Sequence, residues 1–563
     1  MEEKTIFSEE TSHFSENHEP DPSRNLSSNI QELIKGYKNY KESLEPQEKV
    51  PVIHVDEIAS KVASAYETVI RVINWKEEQL VRRTAIERKL KRRLITEISG
   101  MKLANNINSE KAAEALVLES IRGGHLPNDQ IPQNKIGVVQ KILDKYIYIL
   151  KRDLSSKNRK NRVQFYNWTL EIAACEIEET LAPPIRENTL ISSMATLMEN
   201  RIQMNPLDII NDEDKRIQIF IAVHRTLFHL DDPIISYRLL KYRHSNWNDA
   251  SPETIEKIAD NITEIRKDLD KDLHHPLSGK FFKICERYDT LWLLLKDILD
   301  SLIKKEGDIK EKLNDQKALK NILREAYDKR LKTLRRRLIK MAIFSTLSIL
   351  IANSVSLFLV EVPLAKWLYG HFNPKAMAAD IIAPTILMLF LTITTKKPPK
   401  NNLAVITEEI GKIVYSKKRN DIYEIKVSKG INYIFNFFIT LFYLVAIVIS
   451  LGAIIWALRF FGLPPTSIFI NTMIVAVIIF SGLVIRQRAK EITVDEKSTV
   501  WEFVLDVLSI PVAKLGQWLS SKWKKYNVVS VFVTALIDMP FLAFINFIES
   551  WSSFLKEKKA EIH

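Results

Sequence analysis

The segment RKDLDKDLHH, residues 266–275, gathers residue types that could do chemistry. Asp268, Asp272 and His275 follow one another at spacings of four and three, which puts two carboxylates and an imidazole on one helical face. Oxygen and nitrogen donors so arranged suit a divalent cation. Lys267 and Lys271 adjoin them, however, and Pro276 stops the helix. Histidine is favoured at a helix C-terminus by the macrodipole alone. The segment therefore reads as a solvated helix end, and no metal ligand is assigned.

Other chemical signatures are sparse. His224 and His229 are five residues apart, which separates them by about 140° around a helix and argues against a shared metal. The 14 glycines are scattered and form no phosphate-cradling loop. The sequence has no His-Glu-x-x-His, no Gly-x-Ser-x-Gly and no cysteine pair at zinc spacing. Cys175 and Cys285 are too few for a disulfide framework and fall in helical patterns, so buried reduced thiols are expected. No catalytic, cofactor or metal residue is assigned, no cofactor is expected, and the chain reads as a non-enzyme.

The elements around these residues separate by composition. The chain is 46% hydrophobic and 27% charged, and the two classes are segregated near Met341. Residues 1–46 are an acidic tail, largely disordered by composition, with a short helix possible over 29–45. Residues 47–307 read as an all-α cytoplasmic domain. Apolar positions recur at helical spacing, as in Val62, Ala65, Val69, Val72 and Ile73. Punctuation falls at 122–134, 155–158, 182–187, 204–207, 230–233, 248–253 and 274–279, and no strand-rich segment stands out. Residues 308–340 are a basic connecting helix. Its stripe of Ile309, Leu313, Leu319, Leu323, Tyr327, Leu331, Leu334 and Leu338 approximates a coiled-coil heptad or an ordinary amphipathic face. It runs on toward the first apolar stretch without Pro or Gly.

A crossing helix needs about 20 apolar residues. Stretches 341–360, 379–395, 432–458 and 466–485 meet or approach that length and define a four-helix transmembrane domain over 341–490, with a cytoplasmic loop at 396–431. The net charge of +12 sits at their flanks. Residues 329–340 carry +7, residues 396–400 carry +3 and residues 412–429 carry +4. That is the pattern of membrane orientation and contact with anionic headgroups rather than of a nucleic-acid footprint. It places the N-terminus, and the end of the four-helix unit, in the cytoplasm of a multi-pass cell-membrane protein. Arg335, Arg336, Arg337, Lys396, Lys397, Arg486, Arg488, Trp501, Trp518 and Trp523 are the expected membrane-surface contacts. The basic run at 82–93 could bind RNA, but Glu–Arg and Glu–Lys pairing on a helix face explains it as well. Inside the spans, Asn353, Asn436 and Asn471 stand out, and Asp380 is an acidic group at a span end.

Residues 491–563 form a tail of two similar units. Aligning Pro511 on Pro540 matches Phe503 with Phe532, Val504 with Val533, Leu508 with Ile537 and Leu515 with Phe544. The first unit is too polar to cross. Its Trp501, Val504, Leu508, Leu515, Trp518 and Leu519 make a stripe suited to the interface plane. The second, VSVFVTALIDMPFLAFINFI at 529–548, is expected to bend near Pro540, dip into the cytoplasmic leaflet and return, leaving the C-terminus cytoplasmic. The stretch HVDEIASKVASAYETVIRVINWKEEQLVRRTAIERKLKRRL at 54–94 and the two-unit tail resemble membrane proteins of reduced-genome, candidate-phyla bacteria. That resemblance implies a membrane location and no particular activity. The function expected is a scaffold, tether or assembly platform, with a protein partner or self-association through the helical domain. The alternative is a channel or transporter subunit lined by the three asparagines.

Overall fold

The computed structural model describes residues 26–43, 51–55, 78–95, 107–152, 159–206, 209–244, 246–304, 309–369, 374–395, 398–399, 401–415, 422–426, 433–460, 462–494 and 500–525, with positions 547, 551 and 554. The described chain is mostly helical, at 84% helix and 3% strand. Apart from Phe547, the second tail unit, and with it the bend expected at Pro540, lies outside the described residues.

Short polar caps start many of the helices. After α1 (Ser28–Ser43) and α2 (Glu78–Leu94), α3 (Ser109–Arg122) begins where the Asn108 side chain accepts from the Lys111 amide. α4 (Asn134–Arg152), α5 (Arg159–Leu181) and α6 (Ile185–Arg201) follow. Asn211, Asp231 and Ser251 cap α7 (Asp212–Phe228), α8 (Asp232–Arg243) and α9 (Pro252–Leu273) in the same way. These side chains satisfy amides that the first helical turn leaves without partners. α10 (Ser278–Glu286), α11 (Asp289–Lys304) and α12 (Ile309–Asn314) complete the series.

One apolar core runs through all of this and continues beyond residue 307. It takes in Ile30, Leu33 and Tyr37 of α1, so the stretch from 28 to 43 is a seated helix rather than tail. It also takes in Ile406, Ile410, Ile413 and Val414 of α16 (Asn402–Val414), which belongs to the loop between the second and third apolar stretches. The sequence reading missed two strands. β1 (Ile202–Asn205) pairs in parallel with β2 (Tyr423–Lys426), with Ile202 opposite Tyr423 and Asn205 opposite Lys426. Four-residue strands of mixed polarity are too short for an alternation signal to emerge from helical surroundings.

The connecting region breaks once, at Asp315, whose side chain caps α13 (Gln316–Ser356). From there α13 is unbroken for 41 residues, about 60 Å at 1.5 Å per residue. Leu319, Leu323, Tyr327 and Leu334 are buried in the domain core, so the heptad-like stripe packs on the domain. A π turn (Leu357–Glu361) then leads into α14 (Val362–Tyr369). α15 (Pro374–Ile393), α17 (Tyr433–Phe460), α18 (Pro465–Ala489) and α19 (Val500–Lys525) follow.

Among the described residues three helices are long and apolar enough to cross a membrane: Gln316–Leu364, Thr440–Phe460 and Pro465–Ile492. The stretch expected as the second span has a shorter apolar helix, Ile381–Ile393. α17 exposes Phe437, Phe438, Phe442, Val448 and Trp456, a surface suited to lipid rather than water. Small residues allow close packing between these helices. A Cβ on Gly482 would stand 3.0 Å from Leu391 of α15, and one on Gly516 would stand 2.1 Å from the Ala476 carbonyl oxygen.

Candidate functional site

The densest polar constellation involving the apolar helices lies where they meet the domain. Here the chain after α18 returns to the core, and Ile492 is fully buried. The Thr290 hydroxyl at the start of α11 donates to the Glu491 carbonyl oxygen at 2.7 Å. Asn402 Nδ2 donates to the Ile492 carbonyl oxygen at 2.7 Å and to the Tyr327 hydroxyl of α13 at 3.1 Å. Asn402 Oδ1 accepts from the Val494 amide at 3.2 Å. One buried amide side chain thereby ties α13, α16 and the end of α18 together.

Arg330 adds a charged tie on the same helix as Tyr327. It donates to Asp297 Oδ2 at 2.6 Å and to the Leu293 carbonyl oxygen at 3.3 Å, and it lies 3.6 Å from Glu491 Oε1. Burial disfavours its charge, but Asp297 and Glu491 outweigh this and hold its pKa above the usual arginine value. Asp289 is pushed well above the ordinary carboxylate range by burial first and the Glu491 carboxylate second, with Arg330 and Arg488 opposing. On the other side of α16, the Tyr415 hydroxyl donates to the Leu313 carbonyl oxygen at 2.7 Å, and the Ser27 amide donates to the Val414 carbonyl oxygen at 2.9 Å. The donors point at backbone carbonyls and at carboxylates. Such an arrangement holds helices in register; it presents no nucleophile beside a base.

The chain matches no protein family, no curated protein and no solved structure.

The residues expected from sequence fall into distinct settings. Arg335, Arg336 and Arg337 are exposed on α13, just beyond its seat on the domain. Arg486 and Arg488 are half-buried near the end of α18. The Arg488 charge also acts on Asp289 and on His229, whose pKa is lowered by burial and by Arg488. Trp518 is 54% exposed on α19, and Trp501 and Trp523 belong to the same helix. Lys396 and Lys397 lie outside the described residues.

Of the interfacial stripe, Trp518 is exposed and Leu508, Leu515 and Leu519 are half-buried. Among the described residues, Pro511, Val512, Ala513 and Gly516 are buried, on a helix that packs against α18 and α17. Ser450 of α17 donates to the Leu508 carbonyl oxygen at 2.8 Å. A helical-moment argument finds the most apolar face, whereas close helix contact selects small residues.

Asp268, Asp272 and His275 are not brought together. Asp268 is exposed, Asp272 is held by Arg243 at 2.6 Å, and His275 lies past the end of α9 accepting from the Leu277 amide. No group of three potential metal ligands occurs among the described residues. The basic run on α2 is engaged within the domain. Arg82 pairs with Glu178 at 2.8 Å, Arg83 with Glu87 and Asp231, Lys91 with Glu87, and both Arg92 and Arg93 with Glu119. Asn353 and Asn471 are buried, and Asn471 Nδ2 donates to the Ser467 carbonyl oxygen one turn back.

Sequence reasoning missed a buried polar network deeper in the domain. Lys145 Nζ donates to Glu176 Oε1 at 2.6 Å and to the Trp247 carbonyl oxygen at 2.8 Å. The Tyr146 hydroxyl and the Trp247 indole donate to Glu176 Oε2 at 2.6 and 3.0 Å. Burial lowers the Lys145 pKa, with Glu176 opposing, and raises that of Tyr146 well above its ordinary value. Every donor has a partner, so the network pins α4, α5 and the turn before α9 in one arrangement. Neighbouring lysine and tyrosine within an apolar pattern were its only trace in the sequence.

Proposed function

We propose that the chain is a multi-pass protein of the cytoplasmic membrane that holds its helical domain rigidly at the bilayer as a non-enzymatic scaffold or tether. The observation that carries this reading is the Asn402 tie together with the unbroken α13. Chain leaves the domain through α13, re-enters it at α16, leaves after β2 and re-enters at Ile492. Each excursion must cross a membrane an even number of times if the domain stays on one side. Pairing α13 with α15, and α17 with α18, meets that requirement and supports four spans even though the apolar part of α15 is short.

The basic residues at these exits suit anionic headgroups on the domain's side, which the charge bias makes the cytoplasm. A rigidly mounted helical domain with satisfied internal ion pairs suits a protein partner or a second copy of the chain. Purification of the full-length chain from its native membranes in mild detergent, with crosslinking, tests the reading. A stoichiometric partner or a defined oligomer is expected; a monomer that retains nothing would sink it.

A further inference from the structure

α13 and α16 run antiparallel. At one end the Tyr415 hydroxyl, just past α16, donates to the Leu313 carbonyl oxygen just before α13. At the other end Asn402, the first residue of α16, donates to Tyr327, about three turns into α13. Between these ties lies a groove of about 300 Å³, at the low end of the range for ligand clefts. Leu319, Leu323 and Tyr415 line it and are buried, so they form its floor. Lys317 and Lys320 line it and are exposed, so they form its rim. Gly411 lies on the α16 side, and a Cβ there would meet nothing within 4 Å. Glycine inside a helix is less favourable than alanine by about 1 kcal/mol; here the missing side chain leaves the groove open. Glu408, the carboxylate among the lining residues, is held by Lys412 at 3.0 Å. Lys317 and Lys320 form no ion pair among the described residues. Two positive charges thus stand over an apolar floor.

The chain joins the domain at the Tyr415 end of this groove. The Ser27 amide donates to the Val414 carbonyl oxygen at 2.9 Å, its hydroxyl donates to the Ile413 carbonyl oxygen at 3.1 Å, and Leu26 is buried. Residues 1–25 therefore lead in beside the groove. They carry seven carboxylates against Lys4 and Arg24, a net charge of −5. Ile6 and Phe7 stand between the pairs Glu2–Glu3 and Glu9–Glu10. An apolar pair flanked by glutamates complements an apolar floor flanked by lysines. Phe7 precedes Ser27 by 20 residues, and at up to about 3.3 Å per residue the reach is ample. A tether of this kind supplies an effective concentration on the order of mM, so a motif of low intrinsic affinity suffices.

We propose that the groove between α13 and α16 is the docking site for residues 2–16 of this same chain, with Ile6 and Phe7 on the apolar floor and the flanking glutamates against Lys317 and Lys320. The proposal depends neither on the number of spans nor on whether the domain recruits a partner.

The test places a thiol in the groove by Gly411→Cys in the full-length protein. Cys175 and Cys285 are buried, so the added thiol is the one that reports. Maleimide should label it several-fold more slowly in the full chain than in the same variant lacking residues 2–16. A synthetic peptide of residues 1–16, added at mM concentration to the shortened chain at low salt, should slow the labelling again. Salt at about 0.5 M should speed it in the full chain by screening the lysines. Adding Lys317→Glu and Lys320→Glu to the full chain should bring its rate to that of the shortened one. Equal rates in the full and shortened chains overturn the proposal. A slow rate in both that rises on dilution also overturns it, because the occupant is then a second copy. A slow rate in the full chain that survives the double charge reversal overturns it as well.

Discussion

Asn402 Nδ2 and the Ile492 carbonyl oxygen, 90 residues apart in sequence, are joined by a buried 2.7 Å hydrogen bond. The same side chain also accepts from Val494 and donates to Tyr327, so both ends of its amide are used. Asn402→Leu would leave the Ile492 carbonyl and the Val494 amide without these partners. Two such groups cost on the order of 2–4 kcal/mol. Hydrogen exchange on the full-length protein should accelerate at 490–494 and in α16, with α3 to α5 unchanged. Unaltered exchange at 490–494 would show that the tie is not what holds the end of α18.

Glu178 makes the domain's stability depend on pH. Burial pushes its carboxyl up to about 7 from 4.5, against the pull of Arg82. The folded state therefore binds this proton more tightly than the unfolded state. Its contribution is fully present below about pH 4.5 and is lost as pH rises through about 7, on the order of 3 kcal/mol in all. Between about pH 5 and pH 8 the melting temperature of wild type should fall more steeply than that of Glu178→Gln. Parallel slopes would contradict the assignment.

The two thiols should be silent in the folded protein. Cys175 and Cys285 are 3% and 0% exposed, and burial pushes Cys285 up to about 12. For Cys175 burial likewise outweighs the nearby Arg83 charge and raises the pKa well above its usual value. Maleimide at about pH 7.5 should label neither until denaturant is added. Rapid labelling of either thiol under native conditions would mean that its helix opens readily.

Much of this architecture was legible because it is local. Gly, Pro and capping residues marked the ends of helices such as α3, α8 and α9, and apolar runs marked the long apolar helices. What was not legible depends on partners distant in sequence. Asn402 looks like an ordinary loop asparagine until Ile492 arrives beside it. Lys145 looks solvated until Glu176 and Trp247 enclose it. The close seat of α19 on α18 was not legible because hydrophobicity does not report how closely two backbones approach.

That approach gives the last prediction. α19 sits against α18 at Gly516, where a Cβ would fall 2.1 Å from the Ala476 carbonyl oxygen and 3.0 Å from Phe480 Cβ. The first of these is backbone, which cannot rotate aside. Gly516→Ala must therefore displace one helix from the other, even though alanine is the better helix former by about 1 kcal/mol. An interfacial helix resting on lipid would show the opposite sign, gaining stability from alanine. Overpacking of this kind typically costs about 1–3 kcal/mol. Thermal unfolding of the full-length protein in detergent should show a lowered transition, with faster hydrogen exchange over 507–519. A raised transition would mean that α19 leaves the α17–α18 pair and lies on the bilayer surface.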